Sequence, residues 1–248
     1  MNKLLEIKHI KKNYHTKDGE IEAIKDFSIN IENGDFIAIV GSSGCGKSTL
    51  LSLICNLEKP TSGEIKFFSD NHEIGYMFQQ DVLFPWLTVY ENAILGLKIK
   101  NLMTKENLEH IETLLKLYSL EDFKDKFPSS LSGGMRQRLA LIRTLAINPS
   151  LLLLDEPFSA LDYQTRIKIS DDVFKLIKSE KKTAIIVTHD LSEAVSIANK
   201  VVVLSKRPSE ILNIYDIDLD KNLLPSQKRK EKKFFEYYDK IWNDLNDE

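Results

Sequence analysis

The stretch Phe36-Ile37-Ala38-Ile39-Val40-Gly41-Ser42-Ser43-Gly44-Cys45-Gly46-Lys47-Ser48 decides how this chain is read. Five apolar residues, enough for a strand buried on both faces, run directly into the pattern GxxxxGK[ST] and then into a helix-forming segment. Glycines let the backbone turn inward so that successive N–H groups face an anion, and the start of the helix adds a favourable potential. Lys47 supplies a point charge for β- and γ-phosphates, and the Ser48 hydroxyl suits Mg²⁺. Gly41, Ser42, Ser43, Gly44, Cys45, Gly46, Lys47, Ser48 and Thr49 are therefore expected to cradle the phosphates of a nucleotide. Cys45 reads as a small filler in that loop, with a redox role as the alternative.

Leu151-Leu152-Leu153-Leu154-Asp155-Glu156 reads as a second buried strand, and it ends in two acids. Adjacent carboxylates at a strand tip cannot both be core residues. Asp155 suits a Mg²⁺ shell and Glu156 a base that orients water. Further strands are expected at Leu4–Ile10, Ile21–Phe27, Glu64–Phe68, Ile74–Phe78 and Thr183–Thr188, with turns at Asp18-Gly19 and Asn33-Gly34. A helix is expected from Lys47 to about Asn56, and a Pro/Gly break at Lys59–Gly63. From about Pro85 to Asn148 the pattern turns helical, with Leu108, Ile111, Leu114, Leu115 and Tyr118 at three- and four-residue steps. Arg166–Ser179 reads as a helix between Leu151–Leu154 and Thr183–Thr188, which implies parallel pairing. Val201–Ser205 and Ile211–Tyr215 read as a hairpin around Arg207-Pro208.

Composition sets the outer limits. The chain has 248 residues, 42% hydrophobic and 29% charged, as in ordinary globular proteins. A net charge of −3 leaves no global basic footprint for nucleic acid. No apolar run reaches the roughly 18–20 residues that would cross a bilayer, and the N-terminus lacks a signal-peptide pattern. Two cysteines do not make a disulfide framework, and a reducing cytosol is the expected compartment.

Leu131-Ser132-Gly133-Gly134-Met135 opens a helix with an apolar face at Met135, Leu139, Ile142 and Ala146. Ser132 is placed as an N-cap, and the amides of Gly133 and Gly134 offer a second anion site. Together with the phosphate loop and the acidic strand end, in that order, this resembles the ATP-binding cassette (ABC) ATPases from about Tyr14 to Lys206. The resemblance implies an α/β fold: a P-loop NTPase core of mostly parallel sheet, an N-terminal antiparallel β subdomain and an inserted helical lobe. It implies an ATPase domain over 1–222 with the lobe at about 85–148, followed by a helical tail over 223–248. ATP and Mg²⁺ are the implied ligands.

Carried over residue by residue, the resemblance makes Tyr14 the aromatic that stacks on adenine, with an ordinary strand tyrosine as the alternative. Gln79 becomes the loop glutamine that senses Mg²⁺ and the attacking water, and His189 the switch histidine at the γ-phosphate. Ser159-Ala160-Leu161-Asp162 becomes the loop that communicates across a dimer. Ser132, Gly133 and Gly134 would bind the γ-phosphate of ATP held by a second chain, either another copy or a paralogous subunit. The segment Phe84-Pro85-Trp86-Leu87-Thr88-Val89-Tyr90-Glu91-Asn92 looks like importer ATPases of the nitrate/sulfonate/taurine type. In these, a groove receives a separate membrane permease that an extracytoplasmic binding protein serves. Trp86 would line that groove, or else belong to the lobe core. The expected location is the cytoplasmic membrane face, peripheral through the permease and soluble when isolated. A cassette ATPase of nucleic-acid repair or translation, and an exporter or lipid-extraction cassette, are the competing expectations; no nucleic-acid partner is expected. The run Lys228-Arg229-Lys230-Glu231-Lys232-Lys233 reads as a solvated helix face ahead of aromatic residues that pack on the body.

Overall fold

A computed structural model describes residues 3–17, 19–68, 73–180 and 182–246. Among these residues nine strands form one sheet: β1 (Lys3–Thr16), β2 (Gly19–Glu32), β3 (Phe36–Val40), β4 (Ser62–Phe67), β5 (Ile74–Met77), β6 (Leu151–Asp155), β7 (Thr183–Val187), β8 (Lys200–Leu204) and β9 (Ser209–Asp216). Their spatial order is β4-β1-β2-β9-β8-β3-β7-β6-β5. The block β8-β3-β7-β6-β5 is parallel throughout. β1 pairs antiparallel with both β2 and β4, and β9 closes antiparallel on β8.

Side chains that alternate across each strand build two cores from the same strands. Phe36, Ala38 and Val40 of β3, with Leu152, Leu154, Ala184, Ile186, Val201 and Val203, face one cluster. Ile37 and Ile39, with Leu151, Leu153, Ile185, Val187, Val202 and Leu204, face the other. Such central strands read as unbroken apolar runs because neither face meets water.

The helices are α1 (Lys47–Ile54), α2 (Val89–Ile99), α3 (Lys105–Leu117), α4 (Gly133–Leu145), α5 (Tyr163–Ser179), α6 (Leu191–Ile197), α7 (Pro225–Lys228) and α8 (Lys232–Asn246). The stretch expected to be helical from 85 to 148 resolves into α2, α3 and α4 with short 3₁₀ turns between them. Thr88 and Glu91 form a reciprocal capping box at the start of α2. α1 ends earlier than the sequence suggests, because Asn56 takes a positive φ of 59°.

β1 and β2 run well beyond the expected apolar segments. The added length of β1, residues 11–16, is mostly polar and pairs with the start of β2, where no apolar alternation marks it, whereas the added length of β2, residues 28–32, buries Ile29 and Ile31 between exposed Ser28, Asn30 and Glu32. The Asp18-Gly19 turn falls partly outside the described residues. β4 starts within the expected break: a Cβ on Gly63 would lie 2.3 Å from the His9 carbonyl oxygen, so only glycine lets β4 close on the bulge of β1.

The tail packs on the body. α8 lies on α6, β8 and β9, with Phe234 and Ile241 entering the first core cluster. The basic run, expected on a solvated face, is split instead. Lys228 ends α7 with its side chain buried, and only from Lys232 does α8 begin.

Candidate functional site: a phosphate cradle at the carboxyl ends of the strands

The loop after β3 stands at the carboxyl end of a central parallel strand, the usual place for ligands in an open α/β sheet. Gly44 and Gly46 hold φ of 76° and 112°, values that L side chains rarely adopt. Gly41 is required for a different reason: a Cβ there would meet Cys45 Sγ at 2.8 Å and Leu204 at 3.2 Å. Cys45 is buried under the loop, and burial pushes its thiol pKa up, which suits the filler reading. Lys47 Nζ donates to the carbonyls of Gly41 (2.9 Å) and Ser42 (2.8 Å), so its ammonium is held on the loop itself.

Asp155 ends β6 beside Ser48, whose hydroxyl it engages. Burial pushes the Asp155 carboxyl pKa up and the Glu156 charge adds to this, while Ser48 and Lys47 pull the other way. The next residue breaks from the strand. Glu156 adopts φ of 47° with its N–H donating to Val187 O at 2.9 Å, a backbone that turns its side chain out of the sheet. Gln79 Nε2 donates to Glu156 Oε2 at 3.1 Å, and His189 Nδ1 lies 3.2 Å from Glu156 Oε1. Gln79 follows β5, Glu156 follows β6 and His189 follows β7, so three neighbouring parallel strands deliver three side chains to one point. These residues and Ser43, Gly44, Gly46, Lys47, Ser48 and Thr49 line one cleft of about 460 Å³.

Tyr14 stands beside this cleft. Its hydroxyl donates to Glu58 Oε2 (2.9 Å) and lies 3.3 Å from Thr49 Oγ1, while Lys12 Nζ sits over its ring, 4.8 Å from the centroid.

The remaining expected residues are not among those lining the cleft. Ser132 caps α4 by accepting from Met135 N at 3.3 Å, with Gly133 exposed beside it. Gly134 lies under the loop after Glu156: a Cβ there would come within 3.1 Å of Leu161. Asp162 caps α5, accepting from Thr165 N at 3.0 Å. Hydrogen bonds from Thr165 hold its carboxyl pKa below the usual range.

Sequence reasoning missed the residues that tie these parts together. Gln137, buried in α4, donates to Glu156 O at 3.1 Å and accepts from Ala160 N at 3.0 Å, which links the Ser132 helix to the Glu156 loop. Arg136 pairs with Asp81, and Arg143 donates to the carbonyls of Asp81 and Val82 just after Gln79. Val82 has φ of 44°, an outlier for a β-branched residue, and the Arg143 bond pins it. Helical spacing does not separate Gln137 from Arg136 or Arg138; only the carbonyls they meet do. Asn92, fully buried, donates to Phe84 O, Leu87 O and Thr88 O. It holds Trp86 69% exposed, so the lobe-core alternative for Trp86 does not apply.

A Mg²⁺ ion fits the residues present. Ser48 and Asp155 offer two hard oxygen donors side by side, and a dication would offset the burial that works against the Asp155 charge. Among the described residues no group of three His, Cys, Asp or Glu gathers to hold a metal.

Residues 24–159 match the family described as ABC transporter. The chain is 44% identical over 248 residues to the uncharacterized ABC transporter ATP-binding protein YtlC of Bacillus subtilis, covering 98% of this chain and 95% of that one. It is 39% identical to the nitrate import ATP-binding protein NrtD of Synechocystis, covering 96% and 93%. It is 36% identical to the aliphatic sulfonates import ATP-binding protein SsuB of Bacillus thuringiensis, covering 86% of each. Among solved structures it is similar to the dimeric post-hydrolysis ATP-binding cassette MJ0796 bound to ADP and Pi, with a TM-score of 0.75, 35% identity, and coverage of 85% and 99%.

Proposed function

Since this chain belongs to the ABC transporter family and is an ATP-binding, ATP-hydrolysing cassette, we propose that it drives uptake of a small oxyanion, of the nitrate or organic sulfonate kind, through a separate membrane permease. The names and full-length similarity of NrtD and SsuB support that solute class. Among the described residues no helix is long and apolar enough to cross a membrane, and on this reading the passage is formed by a separate permease. The chain then works at the cytoplasmic membrane face, held by the permease, which an extracytoplasmic binding protein supplies.

The single observation that carries the mechanism is the meeting of Gln79 and His189 on the Glu156 carboxylate beside the phosphate loop. Lys47 and the loop amides bind the β- and γ-phosphates, and Tyr14 is placed for the adenine. Ser48 and Asp155 would hold Mg²⁺, which supplies charge neutralisation on the phosphate oxygens. Glu156 accepts a proton from water as the water oxygen bonds to the γ-phosphorus and the bond to the ADP oxygen breaks. Gln79 orients that water through Glu156 Oε2, and His189 sits where it can reach the transferred phosphoryl group.

Ser132, Gly133 and Gly134 lie outside this cleft, and their amides are one half of a site that a second chain completes. A second copy of this chain, or a paralogue, would bring its Ser132–Gly134 cap to this chain's ATP, with Asp162 at the seam. The dimeric arrangement of MJ0796 supports that reading.

The test is Glu156→Gln, which keeps the shape and removes the basicity. Turnover at saturating ATP should fall by roughly 10²–10⁴, the range for loss of a general base, with ATP affinity retained. Turnover near the wild-type rate would overturn the assignment of Glu156.

A further inference from the structure

A second cavity, of about 640 Å³, lies at the opposite end of the sheet from the phosphate loop. It opens at the amino ends of β3, β7 and β8, between the carboxyl ends of α5 and α6 and the tail. Neither the hydrolytic residues nor the Phe84–Asn92 segment reaches it. Its floor is apolar, with Phe174, Ile197 and Leu219 among the lining residues, and its charged lining consists of lysines, with no carboxylate among the described residues that line it.

The lysines are not equivalent. Lys178 Nζ donates to Lys221 O, and Lys182 Nζ to Asn148 O at 3.4 Å, so both serve carbonyls near the end of α5. Lys228 does not. It comes from α7, is 5% exposed, and places its ammonium over the Phe174 ring, 4.4 Å from the centroid. Lys178 lies over the same ring at 5.9 Å. Among the described residues no side chain hydrogen-bonds the Lys228 ammonium; Asp220 and Glu231 act on it as charges only. A buried cation facing a like charge, with no carboxylate bonded to it, is an arrangement that an anion relieves.

We propose that this cavity binds a small organic anion, a sulfonate or carboxylate on an apolar body, with its charged group on Lys228 and Lys178 and its apolar part against Phe174, Ile197 and Leu219. The inference is independent of which solute the importer carries.

A proton linkage follows. Burial, with the Lys178 charge acting in the same direction, brings the Lys228 pKa down to about 8. Asp220 and Glu231 oppose that shift, and Lys221 is the other charged residue of the lining near it. An anion seated on Lys228 raises that pKa, so binding near pH 8 takes up a fraction of a proton.

The experiment is calorimetric titration of the intact chain with hexanesulfonate, with inorganic sulfate as a second arm, in the presence and absence of saturating ADP. The expected result is saturable one-to-one hexanesulfonate binding that ADP does not displace. Sulfate should bind at least about tenfold more weakly, for want of the apolar contact. Lys228→Met should weaken hexanesulfonate binding at least about tenfold. Repeating the wild-type titration at pH 8 in buffers of different ionisation heat should show proton uptake; this readout decides the matter even where Lys228→Met does not fold. Absence of saturable binding, displacement by ADP, unchanged affinity in Lys228→Met, or no proton uptake would each overturn the proposal.

Discussion

Glu156 shows how a residue's backbone and its chemistry are set together. Its left-handed φ of 47° costs energy for an L side chain, and the turn it makes at the end of β6 aims the carboxylate at Gln79 and His189. Asp155, one residue earlier, keeps strand geometry and stays buried beside Ser48. Its ionised form is disfavoured in the fold, because burial raises its carboxyl pKa above the ordinary value. That penalty is fully present above the raised folded pKa and disappears once both states are protonated at low pH. Asp155→Asn should therefore raise the melting temperature of the nucleotide-free, metal-free protein near pH 7 while abolishing turnover. The stability gain should fade as pH falls toward the unfolded carboxyl range, which a pH series of thermal melts would check. Both acids stood out in the sequence because two carboxylates at the tip of an apolar strand have no packing explanation, and the fold places them beside the phosphate loop. Gln137 and Arg143 were not legible: their partners are backbone carbonyls of loops that only the tertiary fold brings near.

At the scale of elements, the apolar runs of β3, β6 and β7 predicted the central sheet because burial on both faces leaves an unbroken signal. The outer half of β1 was hidden for the converse reason, since a polar arm needs no apolar period, while residues 28–32 of β2, with Ile29 and Ile31 buried in alternation, carried a strand signal in the sequence. The tail was legible as a helix with an apolar face, yet the reading of its basic run as solvated failed at Lys228. A count of charges cannot show which lysine a helix end carries into a cavity. Ile241 is fully buried, at 0% exposure, in the same core as the central strands. Ile241→Ala should then destabilise the whole ATPase core by about 2–5 kcal/mol, the range for emptying a large buried side chain. Equilibrium denaturation followed by tryptophan fluorescence and by far-ultraviolet circular dichroism should show one coincident, shifted transition. Separate transitions for tail and core, with the core unmoved, would show that α8 is only appended.

Over the whole molecule, chemistry gathers at the carboxyl ends of the parallel strands, and a lysine-lined cavity lies at their amino ends. α5 starts at the Asp162 cap and α6 starts just after His189, and both run from the first region to the second. Within one chain the cleft holds the phosphate loop, Gln79, Glu156 and His189 but not Ser132, Gly133 or Gly134. Closure by a second chain is therefore the central claim. The most direct test is to measure ATP affinity and ATP hydrolysis side by side in Ser132→Arg. The account predicts ATP affinity of the isolated chain within about twofold of wild type, because Ser132 is absent from its own cleft. It also predicts turnover reduced by roughly 10² or more, because the mate's phosphoryl group loses a preorganised donor. Turnover at the wild-type level, or an ATP affinity that falls in step with turnover, would contradict it.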